Sequence, residues 1–215
     1  MLVEHPFHRD RLGITPDSIV IGAFVNPLKL SRRCLTLWRE VLDRVPTAVL
    51  AISPLLPELS ALYGRLLSAV GIANDRVRVL PQGRNDAENQ ARYGLVDFTL
   101  DPMPYGGANG TLEALDMNVP VVTLVGRKHG ERCGYSMLTN LGATQTVAAS
   151  GSQYVDIAVR LATEPAFMGE VRAAIRAGLE RSPLTDMVAH ARHLERAYLH
   201  ALEQRYPAAL APSDG

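Results

Sequence analysis

Two rhythms alternate along the chain. Short apolar runs rich in β-branched residues stand at 19–24 (IVIGAF), 48–53 (AVLAIS), 76–80 (RVRVL), 97–100 and 119–124 (VPVVTL), each the length of a buried strand. A further short strand is expected near 145–147. Between them apolar residues return every three or four positions. Cys34, Trp38, Val41, Leu42 and Val45 make one such stripe, with Ser31 placed to cap the helix and Pro46 to stop it. Further helices are predicted over 59–70, closed by Gly71, over 86–93, ending at Gly94, and over 111–117 and 131–141. From 152 onward the pattern is helical only, at 154–163, 166–179 and 186–206. Strands alternating with helices imply parallel strands joined by crossovers. The predicted fold is therefore α/β, a Rossmann-like doubly wound parallel sheet with extra C-terminal helices. Residues 1–13 read as a connector, 14–206 as one domain, and the Pro/Ala/Ser-rich 207–215 as a disordered tail. A connector at the start implies that the chain is cut from something longer.

The stretch 97–126 organises the rest: strand, glycine-rich turn, helix, strand. Gly106, Gly107 and Gly110 flank Asn109 with almost no side-chain bulk, and Thr111 opens the helix. Such a turn lets backbone N–H groups converge on an anion, while the helix N-terminus adds partial positive charge. Glu113 follows within the first helical turn, where a carboxylate meets ribose hydroxyls when a nucleotide's phosphates occupy the turn. A tight connection with no ligand gives the same pattern, for the turn is neither G-x-G-x-x-G nor a Walker A sequence. The position of the loops favours a site. Ligands of doubly wound sheets bind beyond the carboxyl ends of the strands. Three polar loops are expected there, at 26–29, 81–84 and 105–111.

Composition narrows the class without deciding it. With 22 basic and 22 acidic residues, nothing points to nucleic acid or an anionic membrane as partner, and no apolar run approaches a membrane span. The start of the chain has no signal-peptide core, so a cytoplasmic location is expected. Cys34 and Cys133 read as separate buried thiols. The six histidines form no HExxH or Cys/His cluster, and those at 190, 193 and 200 belong to a charged helix that reads as a solvated face. No metal site is expected.

Among the loop residues, Lys29 sits past a strand end, where a cation can neutralise a diphosphate and help a nucleoside diphosphate depart. Asn26 either donates to a phosphate or sugar or closes an Asx turn before Pro27. Gln82 and Arg84 lie where loop groups can read a base edge.

Taken jointly, Phe24-Val-Asn26-Pro-Leu-Lys29, Trp38, the Tyr93–Asp101 segment, the glycine turn, Glu113-Ala-Leu, the 119–124 strand and the Gly126-Arg-x-His-Gly-x-Arg132 segment resemble the donor-binding half of O-GlcNAc transferase and SPINDLY-like enzymes. The resemblance runs from about Ile14 to Tyr206. It implies the C-terminal half of a GT-B fold, a nucleotide-sugar-binding domain working without metal or other cofactor. It also implies UDP-sugar as donor, a protein or peptide as acceptor, and an N-terminal half, with helical repeats, outside this chain. Carried over, Lys29 holds the donor diphosphate and Asn26 stands where a donor-contacting glutamine lies. Arg84 and Arg92 fall on the base side, Gly107, Asn109, Gly110 and Thr111 on the phosphate turn, and Glu113 on the ribose. Two positions depart from the family. Asn89 replaces a histidine that stacks on uracil, and Asn109-Gly110 replaces a threonine pair. The Asn-Gly is similar to bacterial cytoplasmic N-glycosyltransferases. The implied function is transfer of a hexose or N-acetylhexosamine to protein side chains. A decayed module acting in protein interaction or regulation, with Leu194, Tyr198 and Leu202 facing a partner, stays open, as does a sugar-nucleotide epimerase relative. For that last stripe, packing on the missing half or on the chain's own sheet is the commoner outcome.

Overall fold

The computed structural model describes residues 7–53, 58–81 and 83–206. Six strands form one parallel sheet: β1 (Ile19–Ala23), β2 (Ala48–Ile52), β3 (Val77–Val79), β4 (Phe98–Leu100), β5 (Val121–Leu124) and β6 (Val147–Ala148). Their spatial order is β3-β2-β1-β4-β5-β6. This is the doubly wound order of dinucleotide-binding folds, and it places the reversal of winding between β1 and β4. The two strands pair directly, Ile21 against Phe98 and Gly22 against Thr99. Loops leaving their carboxyl ends therefore start side by side. A parallel sheet must be covered on both faces, which is why β2 is buried at every residue.

The helices are α1 (Arg32–Arg44), α2 (Glu58–Ser68), α3 (Asp86–Ala91), α4 (Asn109–Asp116), α5 (Cys133–Leu141), α6 (Gly151–Thr163), α7 (Pro165–Leu179) and α8 (Met187–Arg205). Ser31 caps α1 as predicted, its Oγ accepting from the Cys34 N–H at 3.1 Å, and the whole Cys34–Val45 stripe is buried. Trp38, at the centre of that stripe, donates its indole N–H to the Tyr154 hydroxyl of α6 at 3.1 Å. The core is thus pinned by a satisfied polar contact as well as by apolar burial.

Where elements differ from the pattern, a side chain explains it. The third strand starts at Val77, because residues 74–76 form a 3-10 turn. From that turn the Arg76 guanidinium donates to the carbonyls of Leu42, Val45 and Ala48. It satisfies orphan groups at the end of α1. Asp97 stands outside β4 because its carboxylate accepts the Val20 N–H at 2.7 Å and pairs with Arg9. The stretch read as a connector supplies Arg9 to this pair and buries Phe7 in the core. The fifth helix starts at Cys133, after a 3-10 turn His129–Glu131 whose Glu131 folds back onto the Arg127 and Lys128 N–H groups. Cys133 is half-buried rather than buried. Finally, α8 has no buried residue at all. The stripe Leu194, Tyr198 and Leu202 is exposed and does not pack on the sheet.

Among the described residues, no helix is long and apolar enough to cross a membrane.

Candidate functional site

The loop after β1 closes first. Asn26 accepts the Leu28 N–H on Oδ1 at 2.9 Å and so caps the 3-10 turn Pro27–Lys29. Its oxygen is committed to an Asx turn; this is the local role that the Asn-Pro pair allowed. The turn sends Lys29 across to the neighbouring loop, where Nζ donates to the Gly106 carbonyl at 3.4 Å and lies 4.7 Å from the Tyr105 ring centroid. A bridge between Leu30 and Pro104, and a 2.7 Å bond from Ser31 Oγ to the Met103 carbonyl, lace the two loops together.

The glycine turn then enters α4. This helix begins at Asn109, two residues before the position read from the sequence, and Ala108 provides no side-chain cap. The first-turn N–H groups, on Asn109, Gly110 and Thr111, have no carbonyl one turn back to bond. Open amides on an uncapped helix start are a seat for an anion. Gly107 leaves little room for a side chain: a Cβ there would come within 2.7 Å of Thr111 Oγ1 and 3.1 Å of Asp101 Oδ1. Its N–H is turned the other way, to the buried carboxylate of Asp101 at 2.6 Å. Beneath the turn, between Phe24, Tyr93, Asp101 and Thr111, the cavity measures about 30 Å³. It has room for about one water, so a ligand belongs on the open rim above it.

Glu113 rises from the same helix, and two residues of the 3-10 turn Arg92–Leu95 hold it. Arg92 reaches Glu113 Oε2 at 3.3 Å and the Tyr93 hydroxyl stands 3.0 Å from the same oxygen, with the Gly110 carbonyl at 3.2 Å as its other acceptor. Arg92 makes cation–π contacts with two rings, 4.6 Å from the Phe24 centroid and 5.3 Å from that of Tyr93, and the rings pack edge to face on each other. Its side chain is 12% exposed against 44% for Glu113, and its Nε is buried without a partner among the described residues. The arginine is thus a fixed prop for a carboxylate that still faces solvent. The chain stops being α-helical at Ala91, before the predicted end, and this change of winding accompanies the inward turn of both side chains.

Of the base-side candidates, Arg92 belongs to this cluster, whereas Arg84 and Asn89 are bonded within the loop after β3. Arg84 donates through Nε and Nη2 to Glu88, and its backbone N–H bonds the same carboxylate. Asn89 accepts the Gly83 N–H on Oδ1 at 2.9 Å. Both residues are used to fold the loop after β3, which sits at the edge of the sheet, with β2 between it and β1. Gln82 lies outside the described residues. Lys29, Gly107, Asn109, Gly110, Thr111, Glu113 and Arg92 therefore come together, while Arg84 and Asn89 do not join their bonds.

Asp101, Tyr93 and Phe24 are the residues that sequence reasoning passed over. Asp101 had a readable signal, a carboxylate ending a buried apolar run just before the glycine turn. The other two stood within the motifs of the resemblance but were given no role, because an aromatic residue beside a strand end reads as core. Among the described residues, no three His, Cys, Asp or Glu side chains come together as metal ligands do, and the histidines of α8 are exposed.

Residues 6–194 match glycosyl transferase family 41. The chain is 33% identical over 183 residues to the "Probable UDP-N-acetylglucosamine–peptide N-acetylglucosaminyltransferase SPINDLY" of Oryza sativa subsp. japonica, covering 84% of this chain and 20% of that protein. A UDP-N-acetylglucosamine–peptide N-acetylglucosaminyltransferase of Caenorhabditis elegans is 25% identical over 187 residues, 87% of this chain and 16% of that one. The chain thus spans about a fifth of the length of these curated relatives. Among solved structures, a point mutant of the Thermobaculum terrenum O-GlcNAc transferase superposes with a TM-score of 0.76 at 31% identity, over 86% of this chain and 36% of that one. HepE of Anabaena, in complex with UDP and glucose, shares the fold at a TM-score of 0.59 and 17% identity, over 86% of this chain and 50% of its own.

Proposed function

Because the chain belongs to glycosyl transferase family 41, we propose that it is the donor-binding half of a glycosyltransferase that moves a hexose or N-acetylhexosamine from a UDP-sugar to protein side chains. The observation that carries this reading is the meeting of Lys29 with the glycine turn at Gly106, beside the uncapped start of α4, with Glu113 on the same helix.

In that reading the UDP diphosphate sits on the Asn109–Thr111 amides and against the Lys29 ammonium. As the sugar–phosphate bond breaks, negative charge grows on the departing β-phosphate. Fixed positive charge and main-chain donors stabilise it more in the transition state than in the ground state. Lys29 thereby takes the task that a divalent cation performs in other nucleotide-sugar enzymes, and the reading calls for no metal. Glu113, propped by Arg92 and Tyr93, accepts from ribose hydroxyls. Arg92 acts here through Glu113 rather than on the base. Acceptor activation falls to groups outside this chain, and so does cover for the apolar stripe of α8, which we assign to the remainder of the longer protein.

Calorimetry with UDP and UDP-N-acetylglucosamine tests the proposal. Micromolar binding that is lost on Lys29→Ala and weakened on Glu113→Gln is expected. A folded wild-type chain giving no heat with either ligand would overturn it. The decayed-module alternative needs a dismantled site, whereas the cation, turn and carboxylate stand assembled.

A further inference from the structure

A carboxylate buried beside an anion site is a contradiction in charge, and Asp101 is one. Its carboxylate accepts the Gly107 N–H at 2.6 Å and the Thr123 hydroxyl at 2.7 Å. Its backbone is held too: the N–H donates to the Val122 carbonyl at 2.9 Å, and the carbonyl accepts the Tyr154 hydroxyl at 3.0 Å. Through Tyr154 it joins the Trp38 indole. The main chain crowds it from two sides, since a Cβ on Gly106 would lie 3.2 Å and one on Gly134 2.7 Å from Oδ2. Asp101 is thus bonded at once to the core of the sheet and to the glycine turn.

We propose that Asp101 is the positioning residue of the donor site: anchored on Thr123, its carboxylate holds the Gly107 N–H and so sets the turn between Lys29 and the start of α4 in its binding shape. This rests on the donor-site reading above and adds a consequence. A diphosphate brings negative charge close to a carboxylate that is almost wholly buried. Like charges raise proton affinity, so Asp101 takes a proton from solvent as the ligand binds. The neutral acid keeps both contacts, accepting from Gly107 and donating to the Thr123 oxygen. Burial already pushes this carboxyl up from 3.8 to about 6, against the opposing pull of Thr123, Gly107 and Lys29. The other titratable neighbours are silent near neutrality. Burial pushes the Cys34 thiol of α1 up to about 12, and the Tyr154 phenol of α6 well above its ordinary value. From α5 the neighbour is Gly134, which has no side chain. Lys29 supplies the facing positive charge.

The test uses the full chain, with UDP-N-acetylglucosamine as probe, because its diphosphate diester has no proton of its own to exchange near pH 6. Calorimetry at pH 7 in buffers of different ionisation heat should show uptake of a fraction of a proton. Affinity should fall as pH rises from 5.5 to 8, by roughly tenfold for each unit that the bound ligand adds to the carboxyl's pKa. Asp101→Asn, neutral at every pH and still an acceptor for Gly107, should bind with a flat profile and no proton uptake. Asp101→Leu, with no acceptor, should if folded bind roughly tenfold more weakly than Asp101→Asn at all pH values, the loss of about one hydrogen bond. An Asp101→Asn chain that keeps the wild-type slope and proton uptake would overturn the inference. The Gly107 amide resonance of the ligand-free chain separates the two readings. If it titrates near pH 6 only when Asp101 is present and the wild type gives no heat with the UDP-sugar, the donor site is refuted while the grip on Gly107 stands. If the ligand binds and the Gly107 resonance ignores Asp101, the grip is refuted and the donor site stands.

Discussion

Helices α3 and α4 both start near the carboxyl edge of the sheet, and they start in opposite ways. At α3, Asn85 accepts the Glu88 N–H, Glu88 takes up Arg84, and Asn89 takes the Gly83 N–H. That end is closed by its own side chains. At α4 the flanking residue is Ala108, no side chain caps the first turn, and Lys29 arrives from another loop. Closure lowers the local energy and leaves little to offer a ligand. An open start keeps its donors for an anion, which then supplies the missing partners. The difference teaches that an anion seat is preformed at α4, where the proposed function places the diphosphate, whereas the side chains at the described part of the β3 loop are spent on one another.

The largest expected effect concerns the carboxylate under the open end. Burial raises the Asp101 pKa to about 6, so between 3.8 and 6 the folded chain holds a proton that the unfolded chain has released. Stability from this group is therefore full below pH 3.8 and is lost as pH rises to 6, about 3 kcal/mol in all. Urea unfolding should show Asp101→Asn gaining about that much relative to wild type between pH 4 and pH 7. A parallel pH dependence in the two proteins would mean the carboxyl is ordinary. Next, Lys29→Ala should weaken UDP binding by about 2–3 kcal/mol, the scale of a lost charge-assisted contact. Titration calorimetry reads this directly. Glu113→Gln keeps the shape and removes the charge, and should cost about 1–2 kcal/mol with UDP. If the ribose explains that loss, pyrophosphate affinity will not change. Smallest of all, Arg84→Ala should change UDP affinity by less than about 0.5 kcal/mol, because its guanidinium already serves Glu88. A loss equal to that of Lys29→Ala would erase the contrast between the two helix starts.

Much of this was legible in one dimension, for identifiable reasons. The Cys34–Val45 stripe, the Ser31 cap and the alternation of strands with helices are local signals, and local physics honoured them. The glycine turn was legible as a run without side-chain bulk, and in the structure a Cβ on Gly107 would crowd Thr111 and Asp101. Lys29 was singled out by its place after a strand, and the structure brings its ammonium to the Gly106 carbonyl. Asn26 carried two readings, and the structure has the Asx turn. Arg84 and Asn89 failed to join the cluster because their partners, Glu88 and Gly83, are close in sequence and reach them first.

The sequence by itself determined the period of the long elements, the order of strands and helices along the chain, and the chemistry carried by each loop, since these depend on neighbours a few residues apart. Tertiary structure alone decided that β1 lies against β4, which brings Lys29 to Gly106, 77 positions further along the chain. It alone turned Asp101 under the glycine turn, propped Glu113 on Arg92 and left α8 bare. Charge, burial and hydrogen bonding act through space, and distance in space is what a linear pattern does not carry.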